Sequence, residues 1–111
     1  MAKALLVAWS SPADEASDSE YVSWYEGTHI PQVRAAIPAV SAVHRYRTAD
    51  IPASTDGLAH RYLAIYELDT DDVAGAMAAL GAARADGRLD PTPTMDTTVN
   101  PPVLHWYQAA G

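Results

Sequence analysis

Residues 58–68, LAHRYLAIYEL, constrain this chain more than any other stretch. Their side chains alternate with the period of a β-strand. His60, Tyr62, Ala64, Tyr66 and Leu68 fall on one face, and Arg61, Leu63, Ile65 and Glu67 on the other. Both faces are largely apolar in the middle. A strand on the outside of a two-layer protein would turn one face to water, so this one needs cover on both sides. The face ending at Leu68 is expected to meet helices.

The remaining elements fit around this strand. Residues 5–9, LLVAW, form a short apolar strand that stops at Ser10-Ser11-Pro12. Ser17 and Glu20 have the spacing of a capping box, with Ser17 as N-cap. Tyr21, Trp24, Tyr25 and Thr28 follow at helical spacing, which turns an aromatic face inward. Pro31 has no amide hydrogen and disfavours a helical Ile30, so the helix is expected to kink or restart near His29, with a second short helical piece over 31–36.

Residues 40–47 read as a strand with Ala42, His44 and Tyr46 opposite Val43, Arg45 and Arg47. Residues 48–57 are a loop. Asp69-Thr70-Asp71-Asp72 caps a helix whose apolar stripe is Val73, Ala76, Met77, Leu80 and Ala83. Gly75 and Gly81 weaken that helix by roughly 1 kcal/mol each against Ala and are expected to allow close packing on the sheet. Asp86-Gly87 ends it. Residues 90–98 form a second loop and 99–109 a last strand, whose beginning Pro101 and Pro102 confine to an edge.

The order predicts an α+β, ferredoxin-like β-α-β-β-α-β fold as a single domain over 1–111: a four-stranded antiparallel sheet with helices on one face.

A net charge of −7 and only seven scattered Lys and Arg argue against nucleic acid. The absence of cysteine removes disulfides, thiolate metal sites and a Cys nucleophile. No run reaches membrane-spanning length, so the expectation is a cytoplasmic protein without a membrane partner. The four histidines fall at no metal-binding spacing, and no phosphate loop or nucleotide fingerprint occurs, so neither metal nor cofactor is expected.

Chemistry concentrates in residues 24–31, WYEGTHIP. His29 is the side chain closest to neutrality in pKa and the leading proton carrier. Tyr25, one turn earlier, shares its face and either orients it or meets the substrate. Tyr62 and Tyr66, on the helix-facing side of their strand, would line a pocket for a flat oxygenated ligand. His44 and Trp24 complete the substrate-binding candidates, with core or dimer packing the competing reading for Trp24. His60 is expected at the rim, and His105 on its strand is expected to be structural.

The run Trp24-Tyr25-x-x-x-His29-x-Pro31, then Ile37-Pro38-Ala39-Val40 leading into His44-Arg45-Tyr46, then residues 62–69, YLAIYELD, resembles the EthD-like branch of the dimeric α/β-barrel superfamily across nearly the whole chain. Relatives often carry a Pro-Gly turn where this chain has Pro38-Ala39.

The resemblance implies a homodimer in which two sheets face each other as a barrel, with a small-molecule cleft between sheet and helices. Relatives include cofactor-free polyketide cyclases, quinone-forming monooxygenases, lactone isomerases and some haem proteins, and only His29 transfers by position. It implies a cofactor-independent enzyme acting on an aromatic or polyketide-like intermediate by proton transfer: a cyclase, dehydratase or isomerase, or a pericyclic cyclase. A cofactor-free monooxygenase and a non-catalytic binding dimer are the alternatives.

Overall fold

The computed structural model describes residues 2–50 and 59–111. β1 (Ala4–Ser10) leads through a single 3-10 turn (Glu15–Ser17) into α1 (Asp18–Trp24), a π turn (Tyr25–His29) and α2 (Ile30–Ala36). β2 (Val40–Arg47), β3 (Tyr62–Leu68), α3 (Val73–Ala85) and β4 (Val103–Gln108) follow. The strands pair in the order β2-β3-β1-β4, antiparallel throughout. This is the expected ferredoxin-like α+β arrangement.

The alternation of β3 carries through the sheet. Tyr62, Ala64, Tyr66 and Leu68 are buried, while Leu63, Ile65 and Glu67 are only half-buried. In register with them, Leu6 and Ala8 of β1 and Val43 of β2 join the core between sheet and helices, together with Tyr21, Tyr25, Val33 and Ile37. The opposite sheet face presents Leu5, Trp9, Leu63, Ile65, Tyr46 and Tyr107. No described helix covers it.

Several expectations need correction. Ser17 makes no side-chain cap; Asp14 caps instead, accepting from the Ser17 amide at 2.8 Å. The helix is interrupted at His29 and continues as a short piece ending at Ala36, as expected, but Ile30 is helical (φ −58°, ψ −48°) despite Pro31. The chain instead widens by one residue before the proline: the Ile30 amide bonds to the Tyr25 carbonyl five residues back. A π turn of this kind absorbs the hydrogen bond that Pro31 cannot make.

Met77 lies outside the buried stripe of α3, at 52% exposure. Gly75 serves the helix cap rather than sheet packing, because a Cβ there would collide with the Asp72 carboxylate that accepts from its amide at 2.9 Å. A Cβ on Gly81 would meet nothing within 4 Å. As expected, α3 ends at Gly87, which takes φ +74° while Arg88 N–H bonds to the Ala83 carbonyl.

The last strand starts at Val103 rather than 99. The Asp96 carboxylate holds the Thr98, Val99 and Asn100 amides in a turn, and those bonds keep it ionised below the usual carboxylate range. The third strand starts at Tyr62; Leu58 and most of the loop expected over 48–57 lie outside the described residues.

Candidate functional site

The π turn shapes the site. Residues five apart align on such a turn, and His29 stacks on Trp24 with ring centroids 4.7 Å apart and planes 22° from parallel. Tyr25 lies beside both rings, 4.9 Å from His29 and 5.8 Å from Trp24. Trp24 is fixed in turn by its indole N–H, which donates to the Asp90 carbonyl at 3.2 Å.

Between helix and sheet, four tyrosines from α1, the π turn and β3 meet. Tyr25 and Tyr66 hydroxyls are 3.0 Å apart. The Tyr21 hydroxyl pairs with Ser10 Oγ, and Tyr62 donates to Asp18 at 2.5 Å. Burial raises all four phenol pKa values; it pushes Tyr66 up to about 12 and Tyr25 higher than its ordinary value by a wide margin. Every one of these hydroxyls is neutral at physiological pH.

Arg45 reaches into this ring cluster from β2. Its guanidinium carbon lies 4.5 Å from the Tyr25 ring centroid and 5.1 Å from that of Tyr62, close enough for cation–π attraction. Nη1 bonds to the exposed Glu26 carboxylate at 3.2 Å. Nε and Nη2 are buried without a hydrogen-bond partner, as is Nδ1 of His29. No other described side-chain nitrogen or oxygen is in that state, and both residues border Tyr25. Leaving such a group unpaired costs about 1–3 kcal/mol, so these three atoms are where binding a partner would gain most. Burial alone pushes the His29 imidazole down from 6.5 to about 4, so it is neutral in the folded protein.

No protein-family profile and no curated protein matches the chain. Solved structures do. An EthD-like protein from Ralstonia eutropha JMP134 aligns with all of this chain and 96% of its own, at 19% identity and a TM-score of 0.61. An ethyl tert-butyl ether D (EthD) family protein from Bacillus halodurans C-125 aligns over 98% and 99%, at 16% identity and TM-score 0.55. A dimeric ferredoxin-like protein of unknown function from Thermobifida fusca YX aligns over 96% and 90%, at 14% identity and TM-score 0.50.

The chain has the EthD-like fold. The resemblance seen in sequence therefore holds for the architecture.

Within this fold, His29, Tyr25, Trp24, Tyr62 and Tyr66 come together between the helix and the sheet. His44 does not. It stands on the opposite sheet face, where Nε2 meets Glu67 at 2.5 Å. His60 Nε2 bonds to the Pro101 carbonyl, and His105 packs edge-on against Trp9.

Arg45 is the residue that sequence reasoning overlooked. Its parity with Val43 on β2 was the available signal, since it places a cation on the face that must be buried. Two open cavities of about 460 and 590 Å³ lie where the chain ends meet; they are lined in common by Ala2, Gln108, Ala109 and Gly111 and share no residue with this cluster. Among the described residues no three His, Asp or Glu side chains converge as a metal-ligand set.

Proposed function

We propose that this protein is a small enzyme that moves a proton on an aromatic or polyketide-like intermediate without a cofactor, at the site around Tyr25. One observation carries this reading: the described side-chain atoms that are buried and unpartnered all belong to His29 and Arg45, which both contact the Tyr25 ring.

In this mechanism the neutral His29 imidazole takes a proton from an acidic C–H or O–H of the bound molecule. The electron pair moves into the neighbouring carbonyl to make an enolate or phenolate. The imidazolium then returns its proton to another atom, which isomerises the substrate, or to a departing hydroxyl, which dehydrates it. A base with a pKa of about 4 has carboxylate strength. The anion formed beside it supplies the counter-charge that burial denies the free enzyme. Tyr25, Tyr62 and Tyr66 hold the ring system, and Trp24 fixes the imidazole plane. Turnover by wild type and His29→Ala, with melting temperature as the control for folding, tests the reading.

A second reading, a non-catalytic binding dimer, draws on the tyrosine hydroxyls. They are already satisfied by one another, by Ser10 and by Asp18, as packed side chains would be.

The proposed assembly is a homodimer joined through the uncovered sheet face. A Thermobifida fusca protein of the same fold is described as dimeric. Tyr46 and Tyr107 are 56% and 46% exposed on that face, beside half-buried Leu63 and Ile65. Ile65 pairs with Val7 of β1 and His44 of β2 at the middle of the sheet. Ile65→Glu is expected to weaken self-association at least about 100-fold, because a charge would be buried without a partner there. Sedimentation of the variant as a dimer at micromolar concentration would place the interface elsewhere.

A further inference from the structure

We infer that the side-on edge of Arg45, its Nε–H and Nη2–H pair, is an anion-binding fork, and that the small molecule taken at the Tyr25 site carries a carboxylate on an aromatic body. This rests on the proposed small-molecule site and names the class of molecule it takes.

The guanidinium has two distinct hydrogen-bonding edges, and this structure uses them differently. Nη1 meets Glu26, whose side chain is 61% exposed. Nε and Nη2 share the other edge, and their hydrogens project in parallel, matching the two oxygens of a carboxylate. Both atoms are buried and make no hydrogen bond of good geometry among the described residues, although the Tyr21 hydroxyl is near enough to feel the guanidinium.

Apart from the exposed Glu26 carboxylate at Nη1, the groups that face Arg45 carry no free negative charge. The Tyr25 and Tyr62 rings face it, the Tyr21 and Tyr66 phenols feel its charge, all four are neutral, and Asp18 is already engaged by the Tyr62 hydroxyl. The Arg45 side chain is only 14% exposed, so a fork of this kind is largely shielded from water. The rings of Tyr25 and Tyr62 beside it suit a flat ligand body. β2 is an edge strand, so the guanidinium lies toward the rim of the sheet. Side chains around Nε and Nη2 must part to admit the carboxylate. The net charge of −7 repels anions in general, so recognition has to come from this local cation.

Salicylate and salicylamide make the test, because they share ring and hydroxyl and differ in the anionic group. Wild type is expected to bind salicylate at least about tenfold more tightly, and Arg45→Met to bring the two ligands to equal affinity. In wild type, the Arg45 Nε–H proton resonance is expected to move downfield with salicylate and to stay in place with salicylamide; this readout does not depend on a variant folding. Equal affinities in wild type, a preference that survives in Arg45→Met, an unmoved Nε–H resonance, or no salicylate binding at millimolar concentration would each overturn the inference. Loss of turnover in His29→Ala alongside any of these results would leave the proton-transfer reading standing and remove only the carboxylate.

Discussion

His29→Ala is expected to lower turnover of an enolisable aromatic ketone or phenol by roughly 10²–10⁴-fold, the usual contribution of a positioned proton carrier. Stability should move by less than about 1 kcal/mol, because two effects oppose each other. The variant loses the stack on Trp24, which orders one wall of the site. It also removes a buried ring nitrogen that has no hydrogen-bond partner. Few buried side chains combine a large effect on chemistry with a small one on folding, and that combination separates a reacting group from a packing group. Unchanged turnover would assign His29 to the helix turn alone. A large drop in melting temperature would show that its stack with Trp24 holds the fold.

Tyr66→Ala is expected to act in the opposite sense, chiefly on stability. Tyr66 is 1% exposed and sits on the central strand, opposite Leu6 on one side and Val43 on the other. Removing the ring deletes the middle of the core and strands the Tyr25 hydroxyl 3.0 Å away. The expected cost is about 3–5 kcal/mol, a large share of the 5–15 kcal/mol that holds a typical domain. Tyr66→Phe keeps the ring and loses only the hydroxyl pair, for about 1–2 kcal/mol. Urea unfolding of the two variants reads the difference. A cost below about 1 kcal/mol for the alanine would mean that the cluster is loosely packed.

The strands were legible where local pattern and tertiary demand agree. The alternation of β3 and the limits of β2 follow from side-chain period, and Asp72 and Gly87 bound α3 by chemistry that operates within a few residues. The form of the structure stayed open in sequence where more than one solution satisfied the same constraint. Pro31 forbids one helical hydrogen bond, and a broken helix or a widened turn answers that equally well. Only packing against the sheet selects the π turn.

That choice also hid half the site. Trp24 and His29 are five residues apart, a spacing that does not stack on a regular α-helix. Their partnership was invisible until the turn was known. Arg45 was hidden for a different reason: its burial depends on tyrosines from the π turn and β3 that are distant in sequence. His44 was misplaced because its strand has two faces and one of them carries no described helix.

His29 is a half-buried imidazole with a buried Nδ1, neutral in the folded protein, and on the proposed function it faces the bound molecule. A folded pKa below the unfolded 6.5 means that protonation favours the unfolded chain. The corresponding stability is complete above pH 6.5 and is lost as the pH falls toward 4, on the order of 3 kcal/mol. The most direct measurement is an NMR titration of the His29 ring nitrogens, repeated with salicylate present. The expected result is a midpoint of about 4 in the free protein and ring-nitrogen shifts that move when salicylate is added. A midpoint near 6.5, with shifts that ignore the ligand, would contradict it.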